Sequence, residues 1–355
     1  KSGWLAHGEY NHKFEESFSE FIGVKHSISL NSCTSALELA LKAHNIKGEV
    51  IVPSMTWNAT ANSVINTGGK PVFSEINPKT RNITAKLINE KITTKTEAVI
   101  IVHFGGQPCS MDEIIELCDK KNLLLIEDSA ETLGGTWKGK KTGSFANGCF
   151  SFFPTKNITT GEGGMFTTND DNIANRVRTL SAHGVSSSTF EREKKIKPWI
   201  RASIEAGHNF RLSNMLAAIG WVQMKKIDIF NEKRNIIAKK YSDFIDAYLK
   251  NKVEKPFLHE NASHSFQMYT VTVDQENRDK IVNYLRDNGV GASVHFDPPV
   301  HLQPFYENLG YKSGTLPVTE KLSLELITLP MFPSMSQKQI EKVLTELKKA
   351  VELYI

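Results

Sequence analysis

The sequence predicts an α/β protein: a mostly parallel sheet flanked by helices, followed by a smaller C-terminal α+β domain. The first observation is a regular alternation of short apolar runs and amphipathic stretches between residues 30 and 170. The second is that the apolar runs are rich in Val, Ile, Leu and Phe without polar alternation, which is typical of strands buried on both faces. The third is a change to long helical patterns near residue 213. The strand–helix rhythm favours βαβ units and hence a parallel sheet.

The elements follow from these patterns in chain order. Strand candidates are 49–53, 70–76, 97–104, 123–128, 149–153 and 164–169, and helix candidates between them include 34–44, 57–67 and 111–121. A long helical pattern covers 213–250. After it come the segments 265–274 and 289–296 and helical patterns over 276–288 and 336–352. We therefore predict a large domain over 1–235 and a small C-terminal domain over 236–355.

Composition argues against several classes of protein. A net charge of +4 over 355 residues gives no reason to expect nucleic acid as a partner. No apolar run approaches the roughly 20 residues that cross a bilayer, and the first residues lack the apolar core of a secretory signal. The four cysteines show no CxxC spacing, which is typical of free thiols in a reducing compartment. We expect a cytoplasmic protein with no metal site and no membrane partner.

Two predicted helix starts lie where ligands of open α/β sheets bind, beyond the carboxyl ends of the strands. Residues 31–35, NSCTS, precede an apolar helix, and their free N–H groups and the helix dipole would suit an anion. An ordinary N-cap is the alternative. Trp57 opens the helix after strand 49–53 and would stack on a flat ligand there, although aromatic side chains usually fill cores.

Two further strands are followed by groups that carry charge. Asp128 ends an apolar strand, and it would supply its charge to a cationic ring nitrogen. The alternative is that it only caps the following turn or pairs with a nearby Lys or Arg. Lys156 follows the run CFSFF; a desolvated lysine is a nucleophile, whereas a random lysine is usually a surface charge. Ser151 would offer a hydroxyl to a phosphate. Together these residues indicate a flat, phosphorylated, cationic ring held through an amine, which describes pyridoxal 5′-phosphate (PLP).

The chain resembles the sugar aminotransferases of the DegT/DnrJ/EryC1/StrS family over nearly its whole length. The landmarks, in the family's order, are NSCTSALELAL, VPSMTW, GGQPCSMDEI, IEDSAETLG, SFFPTKNITTGEGG and GHNFRLSNMLAAIG. The resemblance implies a fold-type I aminotransferase, a homodimer with PLP at the subunit interface. It also implies transfer of an amino group from L-glutamate to a keto sugar on a nucleoside diphosphate, here a 4-keto-6-deoxy hexose for polysaccharide or glycoconjugate biosynthesis.

The resemblance assigns roles to residues that match the family by position. Lys156 would hold PLP through a Schiff base, Asp128 would pair with the ring nitrogen, and Trp57 would stack on the ring. Groups that would bind the phosphate lie on Cys33, Thr34, Ser151 and, from the partner subunit, Asn209. Glu131 stands near the phenolic oxygen of PLP where the family often has Gln or His.

Four residues are candidate substrate contacts: His183, Arg201, His295 and His301. Structural histidines are the alternative for the three imidazoles. Arg201 lies in the basic, aromatic stretch 188–209, whose counterpart in the family helps to close over the substrate; a solvated loop is the alternative. Two other functions stay open. One is a sugar dehydratase of the same family, which has His at the lysine position, and the other is a non-catalytic PLP-binding regulatory protein.

Overall fold

A seven-stranded sheet is the centre of the computed structural model, which describes residues 3–185, 199 and 202–355. The predicted substrate contact Arg201 lies outside the described residues. The described strands are β1 (His26–Leu30), β2 (Glu49–Pro53), β3 (Lys70–Ser74), β4 (Thr96–Val102), β5 (Leu124–Asp128), β6 (Thr136–Trp137), β7 (Lys140–Lys141), β8 (Asn147–Ser151), β9 (Gly164–Thr168), β10 (Ala262–Ser263), β11 (Tyr269–Thr272) and β12 (Leu326–Leu329).

The strand order of the central sheet is β1-β9-β8-β5-β4-β2-β3. The neighbours β3, β2, β4, β5 and β8 are parallel, whereas β9 runs antiparallel to both β8 and β1. The prediction of a mostly parallel α/β sheet is confirmed, although it missed β1. Because β9 is reversed, its first residue lies at the same edge of the sheet as the last residues of β1, β2, β4, β5 and β8.

Helices cover both faces of this sheet. The described helices are α1 (Glu9–Ile22), α2 (Cys33–Ala43), α3 (Asn58–Asn66), α4 (Ala85–Asn89), α5 (Met111–Lys121), α6 (Asp171–Ser181), α7 (Asn214–Met224), α8 (Ile227–Tyr248), α9 (Gln275–Asp287), α10 (Pro304–Asn308), α11 (Pro317–Glu325) and α12 (Gln337–Tyr354). Among the described residues, none of these helices is both long and apolar enough for a membrane span.

Side chains of β2 alternate between two cores, as expected for a sheet buried on both faces. Val50 and Val52 pack in a cluster with Leu37 of α2 and residues of α3 and α6. Ile51 packs on the other face with Ile114 of α5. The sheet is therefore the middle layer of three, and the apolar runs read from the sequence are its buried strands.

A separate core lies in the C-terminal part of the chain. The two-stranded sheet of β11 and β12 packs there with α9, α12 and the second half of α8. The predicted 213–250 pattern is two helices, α7 and α8, and α8 crosses the predicted boundary at 235/236. Ile227 at its start packs with α1 and α7, whereas Ile237 packs in the C-terminal core. The division into two domains at this position stays a prediction.

Candidate active site

A cavity of about 450 Å³ lies at the edge of the sheet where the parallel strands end. It is lined by residues that follow β1, β2, β5 and β8, and by residues 267–268 and 295–296 of the C-terminal part. The predicted site residues that it brings together are Cys33, Thr34, Trp57, Asp128, Glu131, Ser151, Lys156 and His295. The cavity thus collects predicted residues from the ends of four strands, as the topology of a parallel sheet favours.

One wall of the cavity is the start of α2. Ser32 is the N-cap residue, and its hydroxyl oxygen accepts a hydrogen bond of 3.1 Å from the N–H of Ser35. The N–H groups of Cys33 and Thr34 lie in the first turn, where a helix offers no internal acceptor. With the positive end of the helix dipole, they are suited to a phosphate. The start of α2 lies close to the first residue of β9, Gly164. Only glycine fits there, because a Cβ would lie 2.3 Å from the carbonyl carbon of Ser32.

Asp128, at the end of β5, is a buried carboxylate that borders the cavity. Its Oδ2 accepts a hydrogen bond of 2.8 Å from the hydroxyl of Thr60, and its Oδ1 accepts one of 3.2 Å from the N–H of Ala130. The thiol of Cys33 lies 3.9 Å from Oδ1. Burial raises the pKa of Asp128, while the bonds from Thr60 and Ala130 act in the opposite direction. A cation in the cavity would be stabilised by this carboxylate.

Lys156 places its amine in the same cavity. Its side chain is only 17% exposed, so it is not a solvated surface charge. The Nζ atom lies 3.5 Å from Oε1 of Glu131, and Oε2 of Glu131 accepts a hydrogen bond of 2.8 Å from the N–H of Gly105. The backbone N–H of Lys156 donates to the carbonyl of Phe153 at 3.0 Å. The amine is therefore largely withdrawn from solvent and lies beside a carboxylate that Gly105 holds in place.

The mouth of the cavity carries aromatic side chains. Trp57, the N-cap residue of α3, is 65% exposed, and its ring centroid lies 6.4 Å from that of Phe296. His295 borders the cavity and its Nδ1 lies 2.8 Å from the hydroxyl of Thr328. Burial lowers the pKa of His295, which favours the neutral imidazole. An exposed indole at a cavity mouth is available to cover a flat ring that enters.

Three other predicted site residues do not line the cavity: Asn209, His183 and His301. Asn209 is exposed, and its amide oxygen accepts a hydrogen bond of 2.9 Å from the guanidinium of Arg211. Nε2 of His183 lies 3.4 Å from a nitrogen of the same guanidinium. Asn209 therefore lies outside the lining of the cavity, and its predicted contact from a partner subunit stays a prediction.

His301, the third of these residues, is fully buried in the described fold. Its Nδ1 lies 2.7 Å from the hydroxyl of Ser54, and its Nε2 lies 3.1 Å from a carboxylate oxygen of Glu320. Both ring nitrogens thus have protein partners. This geometry gives no support to a substrate contact by His301 and matches the structural alternative.

Sequence reasoning missed several residues of the cavity. Thr60 lies one turn after Trp57, so the helix periodicity that placed Trp57 at the sheet edge could also have indicated Thr60. Gln267, Met268 and Phe296 come from the C-terminal part of the chain. Their approach to the sheet depends on packing between distant segments, and no local pattern in the sequence indicates it.

Comparisons with known proteins agree with this geometry. The family model of the DegT/DnrJ/EryC1/StrS aminotransferase family matches residues 1–348. The spore coat polysaccharide biosynthesis protein SpsC of Bacillus subtilis is 36% identical, over 99% of this chain and 92% of its own. GDP-perosamine synthase of Caulobacter vibrioides is 37% identical, over 98% of this chain and 92% of its own.

Solved structures show the same fold. PseC of Helicobacter pylori, an aminotransferase involved in the biosynthesis of pseudoaminic acid, superposes with a TM-score of 0.91 at 28% identity, covering 99% of this chain and 94% of its own. NtdA of Bacillus subtilis, with bound pyridoxamine 5′-phosphate, superposes with a TM-score of 0.88 at 29% identity, covering 99% and 79%. Pyridoxamine phosphate is the aminated form of PLP.

The described residues fit PLP. Three groups at the cavity have the chemistry that PLP requires: N–H groups at the start of α2 for a phosphate, the buried carboxylate of Asp128 for a cationic ring nitrogen, and the amine of Lys156 for an aldehyde. A pocket with these three groups, in a fold shared with PLP enzymes, matches the cofactor and the fold-type I architecture that the sequence predicts. The chain belongs to the DegT/DnrJ/EryC1/StrS aminotransferase family and is a PLP-dependent aminotransferase.

Proposed function

We propose that this enzyme transfers an amino group from L-glutamate to a keto sugar carried on a nucleoside diphosphate, with a 4-keto-6-deoxy hexose as the acceptor. The product would serve polysaccharide or glycoconjugate biosynthesis. The observation that carries the proposal is that Lys156, Asp128 and the start of α2 border one cavity. The names of the relatives support a sugar acceptor: one is a GDP-perosamine synthase and another a spore coat polysaccharide biosynthesis protein.

The residues of the cavity divide the task of binding. The N–H groups of Cys33 and Thr34 and the hydroxyls of Thr34 and Ser151 would hold the phosphate of PLP. Asp128, whose charged form its donors favour, would pair with the protonated ring nitrogen. Trp57 would cover the ring and exclude water from one of its faces. When bound, PLP would supply a carrier for the amino group and a ring that acts as an electron sink.

Lys156 would carry out the proton transfers. Its Nζ takes up the proton that leaves the α-carbon of glutamate, and in the second half-reaction it delivers a proton to the sugar carbon that receives the amino group. A positioned acid–base group contributes about 10²–10⁴-fold in rate. The Lys156 side chain is largely withdrawn from solvent. Few water molecules therefore compete with the substrate for its proton.

We also propose a homodimer in which a second copy completes the cavity. One face of α7 exposes Met215, Ile219 and Val222, spaced as successive turns of a helix. The polar edge of α7 holds the loop after Lys156, since the N–H of Thr159 donates to Gln223 at 3.1 Å. The apolar face therefore lies on the helix that supports the cavity. A partner on this face would explain why Asn209, just before α7, lies outside the cavity of its own chain.

The function is tested by separating the two half-reactions. Purified protein with PLP should form 2-oxoglutarate from L-glutamate and then aminate one of a panel of UDP-, dTDP- and GDP-linked 4-keto-6-deoxy sugars, detected by mass spectrometry. Borohydride treatment should attach the mass of PLP to the peptide that contains Lys156. Lys156→Ala should abolish both half-reactions, whereas Lys79→Ala, an exposed lysine, should leave them unchanged.

The outcomes also separate the alternative functions. A sugar dehydratase, which uses the aminated cofactor, would release a sugar that has lost a hydroxyl and gained no amino group. A regulatory PLP-binding protein would bind PLP without forming 2-oxoglutarate. Turnover by Lys156→Ala at the wild-type rate would exclude the role proposed for this lysine. If glutamate reacts but no nucleotide sugar is aminated, the aminotransferase activity stands and the proposed acceptor is wrong.

A further inference from the structure

A buried carboxylate needs donors to remain charged, and this requirement falls on Asp128. Its side chain is 5% exposed and borders the cavity at the end of β5. An uncharged Asp128 would not pair with a cationic ring nitrogen. The groups that favour its charged form therefore determine how tightly the cavity holds the ring, even though they do not all face the cavity centre.

Two threonine hydroxyls on the segment that starts α3 form one chain of hydrogen bonds to Asp128. The hydroxyl of Thr60 lies 2.8 Å from Oδ2 of Asp128, and the hydroxyl of Thr56 lies 2.9 Å from that of Thr60. Both threonines are buried, with exposures of 1% and 3%. Both also line the cavity, so their hydroxyls lie between α3 and the carboxylate at its wall.

The chemistry of the carboxylate fixes the direction of both bonds. An ionised Asp128 only accepts, so Thr60 must donate to it, and the oxygen of Thr60 is then free to accept from Thr56. The result is a directed chain from Thr56 through Thr60 to Oδ2. The N–H of Ala130 holds the other oxygen, Oδ1, at 3.2 Å. The thiol of Cys33 also lies 3.9 Å from Oδ1, so Thr60 is the one described donor to Oδ2 and helps to fix the orientation of the carboxylate.

We propose that Thr60 is a positioning residue of the aminotransferase: its hydroxyl, oriented by Thr56, keeps Asp128 ionised and turned to a fixed orientation in which it binds the ring nitrogen of PLP. This inference rests on the proposed role of Asp128. The start of α3 then has two roles. Its first turn places Trp57 at the cavity mouth and Thr60 within hydrogen-bond distance of Asp128.

Other charged and titratable groups also act on Asp128, and they set the background for the test. The ammonium of Lys156 favours the ionised carboxylate, whereas the carboxylate of Glu131 disfavours it. The thiols of Cys33 and Cys149 face Asp128 as well, and burial followed by the charge of Asp128 raises their pKa values well above the ordinary range. Both thiols therefore stay protonated at neutral pH. None of these groups is altered by a change at Thr60.

The test compares Thr60→Val with Thr60→Ser. Valine keeps the volume of threonine and removes the hydroxyl, whereas serine keeps the hydroxyl. Hydrogen bonds to charged groups are among the stronger ones. In a spectroscopic titration of the apoprotein with PLP, we expect Thr60→Val to bind PLP about tenfold more weakly or worse and Thr60→Ser to stay within about threefold of the wild type. The thermal unfolding midpoint of each apoprotein checks that the fold is intact.

The pH profile supplies a second readout. Loss of the Thr60 bond removes a contribution that lowers the pKa of Asp128, so the acid limb of kcat/KM should move to higher pH in Thr60→Val and not in Thr60→Ser. Equal PLP affinity and equal pH profiles in the two variants would overturn the proposal. Asp128→Asn separates this from the proposed function: if that variant binds PLP and reacts like the wild type, the role of Asp128 itself is wrong.

Discussion

Glu15 gives the sharpest test of how the fold supports the site, because it is a buried carboxylate that ties α1 to β1 and α6. Its Oε1 accepts hydrogen bonds from the N–H and the hydroxyl of Ser29, at 2.8 and 2.7 Å. Its Oε2 lies 2.8 Å from the guanidinium of Arg178. Burial alone would raise the pKa of Glu15, but the charge of Arg178 and the bonds from His7 and Ser29 outweigh it and lower the pKa from 4.5 to about 2.

The sign of the pH dependence follows from this lowered pKa. A carboxyl group whose folded pKa is below its unfolded pKa stabilises the fold above the unfolded value, and the contribution is lost as the pH falls through the folded value. For Glu15 the difference corresponds to about 3 kcal/mol in the free energy of unfolding near pH 7 and to about 1 kcal/mol near pH 3. We therefore expect Glu15→Gln to destabilise the protein strongly at neutral pH, and less than half as much in acid.

Equilibrium urea unfolding at a fixed PLP concentration measures this difference, since bound cofactor itself adds to stability. The comparison needs the wild type and Glu15→Gln at both pH values. Glu20→Gln is the matched control, because Glu20 is an exposed glutamate of the same helix. The reasoning is refuted if Glu15→Gln loses the same free energy at both pH values, or if it is as stable as Glu20→Gln at neutral pH.

Three further predictions concern the cavity and its surroundings. Gly164→Ala should weaken PLP binding about tenfold or more in an equilibrium titration, because its Cβ would lie 2.3 Å from backbone at the start of α2; Gly291→Ala, where a Cβ meets nothing within 4 Å, should bind normally. His301→Ala should lower the thermal unfolding midpoint, since it removes buried hydrogen bonds, and a raised sugar-nucleotide KM without lost stability would contradict this. Ile219→Asp should yield monomers in sedimentation experiments, and an intact dimer would place the interface elsewhere.

Much of the candidate site could be predicted because one rule of topology connects it to local sequence. Asp128 ends β5, Trp57 follows β2 and Lys156 follows β8, and each of these strands is recognisable as an apolar run. Parallel strands end at the same edge, so residues far apart in the sequence converge without any knowledge of their packing. The structure also explains the last glycine of GEGG. Gly164 begins the antiparallel β9, and its lack of a side chain allows the start of α2 to lie close to the sheet.

The rest of the site could not be predicted for an equally physical reason. The helix periodicity could have placed Thr60 beside Trp57, but its hydrogen bond joins it to a residue 68 positions away, and no sequence pattern indicates that contact. The strand β1 was missed because HSISL alternates polar and apolar residues at the sheet margin. His301 looked like a site residue because it lies near an element end, but its ring is used within the fold between Ser54 and Glu320.

The C-terminal part of the chain contributes a wall of the cavity, and its backbone is hydrogen-bonded to the loop after β4. Gly105 and Gly106, after β4, accept hydrogen bonds from the backbone N–H groups of Met268 and Ser265, at 3.0 and 2.9 Å. The N–H of Gly105 in turn donates to Glu131, the neighbour of Lys156. The wall that Met268 supplies and the carboxylate beside the amine of Lys156 are therefore fixed by the same loop. Displacement of the C-terminal part would disturb Glu131 as well as the wall, so the site depends on both parts of the chain.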